Sequence, residues 1–78
     1  KNLEGAREWY GKAADKDDVY AMFQYALMLE NGEGGPKNLV GAREWYKRAA
    51  EKSDIKALFE YGIMLKEEMK RKIEFIET

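Results

Sequence analysis

Asp15, Asp17 and Asp18 are the tightest cluster of metal-ligating side chains in the chain, and their spacing invites a calcium reading. An EF-hand loop needs glycine at its sixth position and glutamate at its twelfth. Counted from Asp15, those positions hold Tyr20 and Ala26, so the acidic run reads as a solvated turn and a helix cap, with no metal site. Lys70, Arg71 and Lys72 form a basic triplet, but Glu67, Glu68 and Glu74 flank it, which makes an ion-paired, solvated face the expected reading. Gly32, Gly34 and Gly35 lack the following Lys-Ser/Thr of a P-loop and the preceding strand of a dinucleotide fold. They are read as a turn. Histidine and cysteine are both absent. That removes the commonest general base, thiol catalysis, thiolate metal sites and disulfides. A lysine- or carboxylate-based site is the enzymatic option composition leaves, and no spacing points to one. The expectation is a non-enzymatic protein that needs no cofactor.

Recognition is the chemistry the chain is better equipped for. Phe23 and Leu27 return 36 positions later as Phe59 and Ile63. If equivalent elements stack, the four residues align into an apolar strip along which a peptide or helix could lie. Two Trp-Tyr pairs, Trp9-Tyr10 and Trp45-Tyr46, recur at the same spacing. Large aromatic side chains beside paired alanines are expected to pack between helices. With 14 basic and 15 acidic residues the net charge is −1, which gives no long-range attraction for nucleic acid or anionic lipid. No apolar run approaches the ~20 residues of a membrane span. Nothing in the composition fixes a compartment.

The elements that position these residues follow from an internal repeat. Lys1, Asn2, Leu3, Gly5, Ala6, Arg7, Glu8, Trp9, Tyr10, Ala13 and Ala14 reappear as Lys37, Asn38, Leu39, Gly41, Ala42, Arg43, Glu44, Trp45, Tyr46, Ala49 and Ala50. Ala21, Phe23, Tyr25, Met28 and Leu29 reappear as Ala57, Phe59, Tyr61, Met64 and Leu65. A fixed period in the range of about 20–50 residues marks stacked repeat architectures. Asn2 and Asn38 are good N-cap types, ahead of helices expected over 3–15 and 39–51. Asp17 or Asp18 caps a second helix that ends at the left-handed C-cap Gly32. Ser53 or Asp54 caps a fourth. Pro36 cannot continue a helix. No breaker occurs from Lys66 to Thr78, so the last helix is expected to run unbroken from near Ile55 to near Glu77. The alternative is a bend near Glu68.

The pattern Ala21, Tyr25, Ala26, Leu29, Gly32, Gly34, Ala42, Trp45, Tyr46, Ala49, Ala50 resembles the Sel1-like repeat, a helix-pair solenoid related to tetratricopeptide repeats. Trp9, Tyr10, Ala13 and Ala14 match its second helix in the earlier copy. The chain departs from the pattern at Tyr25 and Tyr61, at Ala26, at Leu29 and Leu65, at Gly35, and at Asp17 and Ser53, which stand where the family has glycine. The resemblance implies an all-α fold: a short right-handed α-solenoid of antiparallel helix pairs, about two repeats and four helices, the last extended. It frames the helices as B, A, B, A and implies that A helices line the concave side. The lining positions of a partner-binding groove would then be Tyr20, Phe23, Leu27, Lys56, Phe59 and Ile63.

The expected organisation is one domain over 1–78, with copies at 1–36 and 37–66 and a helical extension at 67–78. The chain opens with Lys1 rather than Met, which reads as a fragment or a processed product. The expected function is a protein-interaction module or scaffold with a protein or peptide partner, and no nucleic acid or membrane. The alternative is an engineered or fragment repeat scaffold whose association is with itself. Met69, Ile73, Phe75 and Ile76 have no counterpart inside the chain if the last helix is straight, and two copies could bury them as a homodimer.

Overall fold

In the computed structural model, residues 2–77 are described. Lys1, counted in the repeat, and Thr78, the end of the expected domain, lie outside them. The described residues form four helices and no strand: α1 (Leu3–Asp15), α2 (Val19–Asn31), α3 (Leu39–Glu51) and α4 (Ile55–Glu77). Each packs on its neighbour in sequence, α1 on α2, α2 on α3 and α3 on α4. The fold is a short α-solenoid. At 1.5 Å per residue the 23 residues of α4 span about 35 Å, most of the longest dimension, 43 Å.

Each helix start is satisfied by a side chain of the expected type. Asn2 accepts from the Gly5 N–H at 2.8 Å, and Asn38 from the Gly41 N–H at 2.9 Å. Asp18 and Asp54 accept from Ala21 and Ala57 N–H at 2.9 Å. So Asp18 and Asp54 are the caps, and Asp17 and Ser53 do something else. Both sit in the left-handed region, at φ 70° and 73°. Asp17 N–H donates to the Ala14 carbonyl and Asp18 N–H to that of Ala13; Ser53 and Asp54 repeat this with Ala50 and Ala49. This is the Schellman closure, whose left-handed residue is usually glycine. One residue therefore ends each helix and the next begins its successor, which makes the turns short and the hairpins antiparallel.

The α2–α3 turn is longer and is held by α1. Gly32 ends α2 at φ 70°, and Gly34 also has positive φ. A side chain at Gly34 would collide with the Leu3 carbonyl. Arg7 donates through Nη1 to the Glu33 carbonyl at 3.2 Å and through Nη2 to that of Pro36 at 2.9 Å.

The core is small and built mainly from alanine. Ala14, Ala21, Met22, Ala26, Leu29, Ala42, Tyr46, Ala49 and Ala57 form one buried cluster. Small side chains let the helix backbones approach, and Tyr46 fills the remaining space. It is fully buried, donates from its hydroxyl to Glu30 Oε1 at 2.8 Å and packs on Phe23. Tyr25 is wedged between α1 and α3. A side chain at Gly11 would press on its ring, and Trp45 meets it edge-on.

The second copy changes where the first has its loop. α4 runs straight through those positions. Arg43, the counterpart of Arg7, has no loop carbonyls to bind and instead pairs with Glu68 at 2.6 Å. Glu68 thus turns to α3, while Lys70, Arg71 and Lys72 beside it are exposed.

Candidate interaction surface

The expected groove residues come from two helices. Tyr20, Phe23 and Leu27 lie on α2; Lys56, Phe59 and Ile63 lie on α4. Tyr20, Phe23 and Lys56 meet in one shallow depression of about 330 Å³, completed by Gln24, Ser53, Asp54 and Ile55. Leu27, Phe59 and Ile63 stand outside it. Phe23 and Leu27 are half-buried against the core, Ile63 is half-buried and Phe59 is exposed. Gln24 and Ile55 are the residues that sequence reasoning missed. Each is one turn from a residue it singled out, and helical spacing was the available signal.

Tyr20 is held from behind: Tyr10 of α1 lies against it, ring centroids 6.4 Å apart. Phe23 is backed by Tyr46 at 5.7 Å. Two aromatic rings are thus each backed by another ring, and Lys56 and Gln24 line the same depression. The Asp54 carboxylate accepts from Ala57 N–H and keeps its negative charge, which faces the positive end of α4; Lys56 is the cation of the depression. Such a site offers apolar anchoring, one charge of each sign and amide hydrogen bonding. Among the described residues no group of three or more acidic, histidine or cysteine side chains could hold a metal ion, and no helix is long and apolar enough to cross a membrane.

The four expected self-association residues lie on the far half of α4, and all are exposed. At 3.6 residues per turn Met69, Ile73 and Ile76 share one helical face. Phe75, two positions from Ile73, falls across the helix from them. The shared face continues toward the start of α4 through Leu65, Gly62, Leu58 and Ile55. Gly62, Leu65, Met69 and Ile73, with Lys66, Lys70 and Glu74, line an apolar hollow of about 600 Å³.

One packing expectation is corrected. Tyr46 is buried and Trp45 and Tyr10 are half-buried, but Trp9 is 69% exposed. Trp45 has α2 in front of it. Nothing in the described chain occupies that place before α1, and Lys12 lies over the Trp9 ring from its own helix.

The family model of the Sel1 repeat matches residues 1–18 and 19–54. The first stretch contains α1; the second contains α2 with α3. Among solved structures, the chain is similar to a Sel1 repeat protein from Oxalobacter formigenes, at 42% identity with a TM-score of 0.80. The match covers 82% of this chain and 26% of that one, so the chain spans about a quarter of the length of that relative. No curated protein matches. Sel1 repeats generally mediate protein–protein interactions and form a non-catalytic repeat fold.

Proposed function

The chain belongs to the Sel1 repeat family, and on that premise we propose that it is a non-enzymatic interaction module that takes a peptide or helix across α2 and α4. The observation that supports this is the depression where Tyr20 and Phe23, each backed by another ring, meet Lys56 from the neighbouring hairpin. Rings that are already immobilised lose little freedom when a ligand docks, which favours binding. Leu27, Ile63 and Phe59 extend the contact along the two helices. The favoured ligand carries an apolar or aromatic side chain for the rings and a carboxylate for Lys56.

The test is peptide selection on the whole chain, followed by affinity measurement on variants. Tyr20→Ala and Lys56→Glu should each weaken a selected acidic-aromatic peptide by about tenfold or more, with far-UV circular dichroism unchanged. Selected peptides indifferent to both variants would remove this reading.

A second reading, self-association through α4, is favoured by the exposed face of Met69, Ile73 and Ile76. A repeat buries its face on a neighbour, and α4 has one neighbour where α2 has two. Ile73→Asp with Ile76→Asp should reduce the mass in solution to that of a single chain. Unchanged mass would show that the tail is not the interface.

A further inference from the structure

The two copies of the repeat differ at one place inside the fold, and the difference leaves a hollow there. In the first copy the loop after α2 folds back on α1. Gly34 lies on the Leu3 carbonyl and Gly35 on the Arg7 guanidinium. Arg7 donates to the carbonyls of Glu33 and Pro36 at 3.2 and 2.9 Å. In the second copy Glu68, Met69, Lys70, Arg71 and Lys72 stand at the positions of Gly32 to Pro36, and all of them stay helical.

The seat for the loop is kept although the loop is not. Leu39 and Arg43, the counterparts of Leu3 and Arg7, line an open hollow of about 410 Å³. Met64, Glu68 and Arg71 of α4 and Lys37 ahead of α3 line it too. It lies between α3 and α4, and what opens it is the helical sequence at 68–72. It shares no residue with the depression at Tyr20.

We infer that this hollow seats an extended, glycine-containing segment of a partner protein, whose backbone carbonyls bind Arg43 as those of Glu33 and Pro36 bind Arg7. The chain itself supplies the template, and the lining groups complement such a segment. Arg43 gives Nη1 to Glu68, and its other N–H groups have no partner among the described residues. A guanidinium carries several donors in a rigid fork, which two carbonyls can share. Lys37 and Arg71 add donors and join no ion pair among the described residues. Of the carboxylates, Glu30 already accepts from Tyr46 and Glu68 from Arg43. Donors are thus in excess, and the matching ligand is rich in acceptors. Leu39 and Met64 give it an apolar side.

The template also sets the residue type. A Cβ at Gly34 would collide with the Leu3 carbonyl, so a segment lying on the Leu39 carbonyl in the same way needs glycine at that point. Glu68 competes with the ligand for Arg43, which makes binding weak and makes the pair its regulator.

The probe is the chain's own loop as a capped peptide of residues 31–37, Asn-Gly-Glu-Gly-Gly-Pro-Lys. It is titrated into the isotope-labelled whole chain and followed by backbone amide shifts. Saturable shifts in the millimolar range are expected over 39–43 and 64–68, with those near Tyr20 unmoved. Glu68→Ala should tighten binding severalfold. Arg43→Ala should weaken it about tenfold or more, with far-UV circular dichroism unchanged. The same peptide carrying Gly34→Ala should also lose about tenfold or more. Shifts retained in Arg43→Ala, or equal affinity for the alanine peptide, would overturn the proposal. So would a wild type without shifts, or shifts confined to α1, where the peptide would only displace the chain's own loop.

Discussion

Trp45 meets Tyr25 edge-on with ring centroids 5.7 Å apart at 77°, while Trp9, the same residue one repeat earlier, has its indole in water. The two tryptophans sit in nearly identical local sequences, on helices of equal length with equivalent caps. What separates them is whether a preceding helix stands in front. In a stacked architecture each unit is completed by its neighbour, so the exposure of a residue reports its place in the stack.

The left-handed residues give the simplest stability prediction. Ser53 holds φ 73°, a conformation that costs a residue with a Cβ roughly 1–2 kcal/mol. Ser53→Gly removes that cost at the expense of a more flexible unfolded chain. The net expectation is a gain of about 0.5 kcal/mol in urea unfolding. A loss of stability would show that the Ser53 side chain makes a contact that outweighs the strain.

This position also shows where the sequence was legible. The helix bounds, the caps at Asn2 and Asn38, the stop at Gly32 and the unbroken α4 all rest on short-range chemistry, which residue type reveals. Asp17 against Asp18 was ambiguous because both are good caps; only backbone geometry assigns one to the left-handed turn and the other to the cap. Trp9 was misjudged because burial depends on a neighbour and not on the residue. The Arg43–Glu68 pair joins positions 25 apart on two helices, and no local pattern announces it. The depression at Tyr20, Phe23 and Lys56 was half legible: repeat spacing picked Phe23 and the family resemblance added Tyr20 and Lys56, but only packing shows which members converge.

Arg7 and Arg43 are the same residue put to two uses, and their removal should differ. Arg43→Ala breaks one partly exposed ion pair, and a double-mutant cycle with Glu68→Ala should give a coupling of about 0.5–1 kcal/mol that shrinks in salt. Arg7→Ala removes a cation from two loop carbonyls and should cost about 1.5–3 kcal/mol, with little salt dependence. Equal costs would mean the loop does not depend on Arg7.

Gly34 is the position least able to accept a side chain. Gly34→Ala meets both the positive φ and the Leu3 carbonyl, and should destabilise by about 2 kcal/mol or more. Gly35→Ala, where the nearest group is the flexible Arg7 guanidinium, should cost less. The reverse order would show that the loop rearranges away from α1.

Tyr46 makes alkaline stability a readout of the core. Burial, then the hydrogen bond and negative charge of Glu30 and the charge of Glu60, push its phenol above the ordinary 10.0. A proton held more tightly in the fold stabilises fully below the unfolded value and is lost as pH rises past it. Melting temperature should therefore fall above about pH 10 more steeply in the wild type than in Tyr46→Phe. At neutral pH the variant should be the less stable by about 1 kcal/mol, for the lost bond to Glu30. Parallel profiles would place the phenol in solvent.

The most direct test is titration of a selected acidic-aromatic peptide against the whole chain and its Lys56→Glu and Tyr20→Ala variants. The wild type should bind, and each variant should bind about tenfold or more weakly with unchanged far-UV circular dichroism. Binding indifferent to both substitutions would contradict the claim that the depression between α2 and α4 is the recognition site.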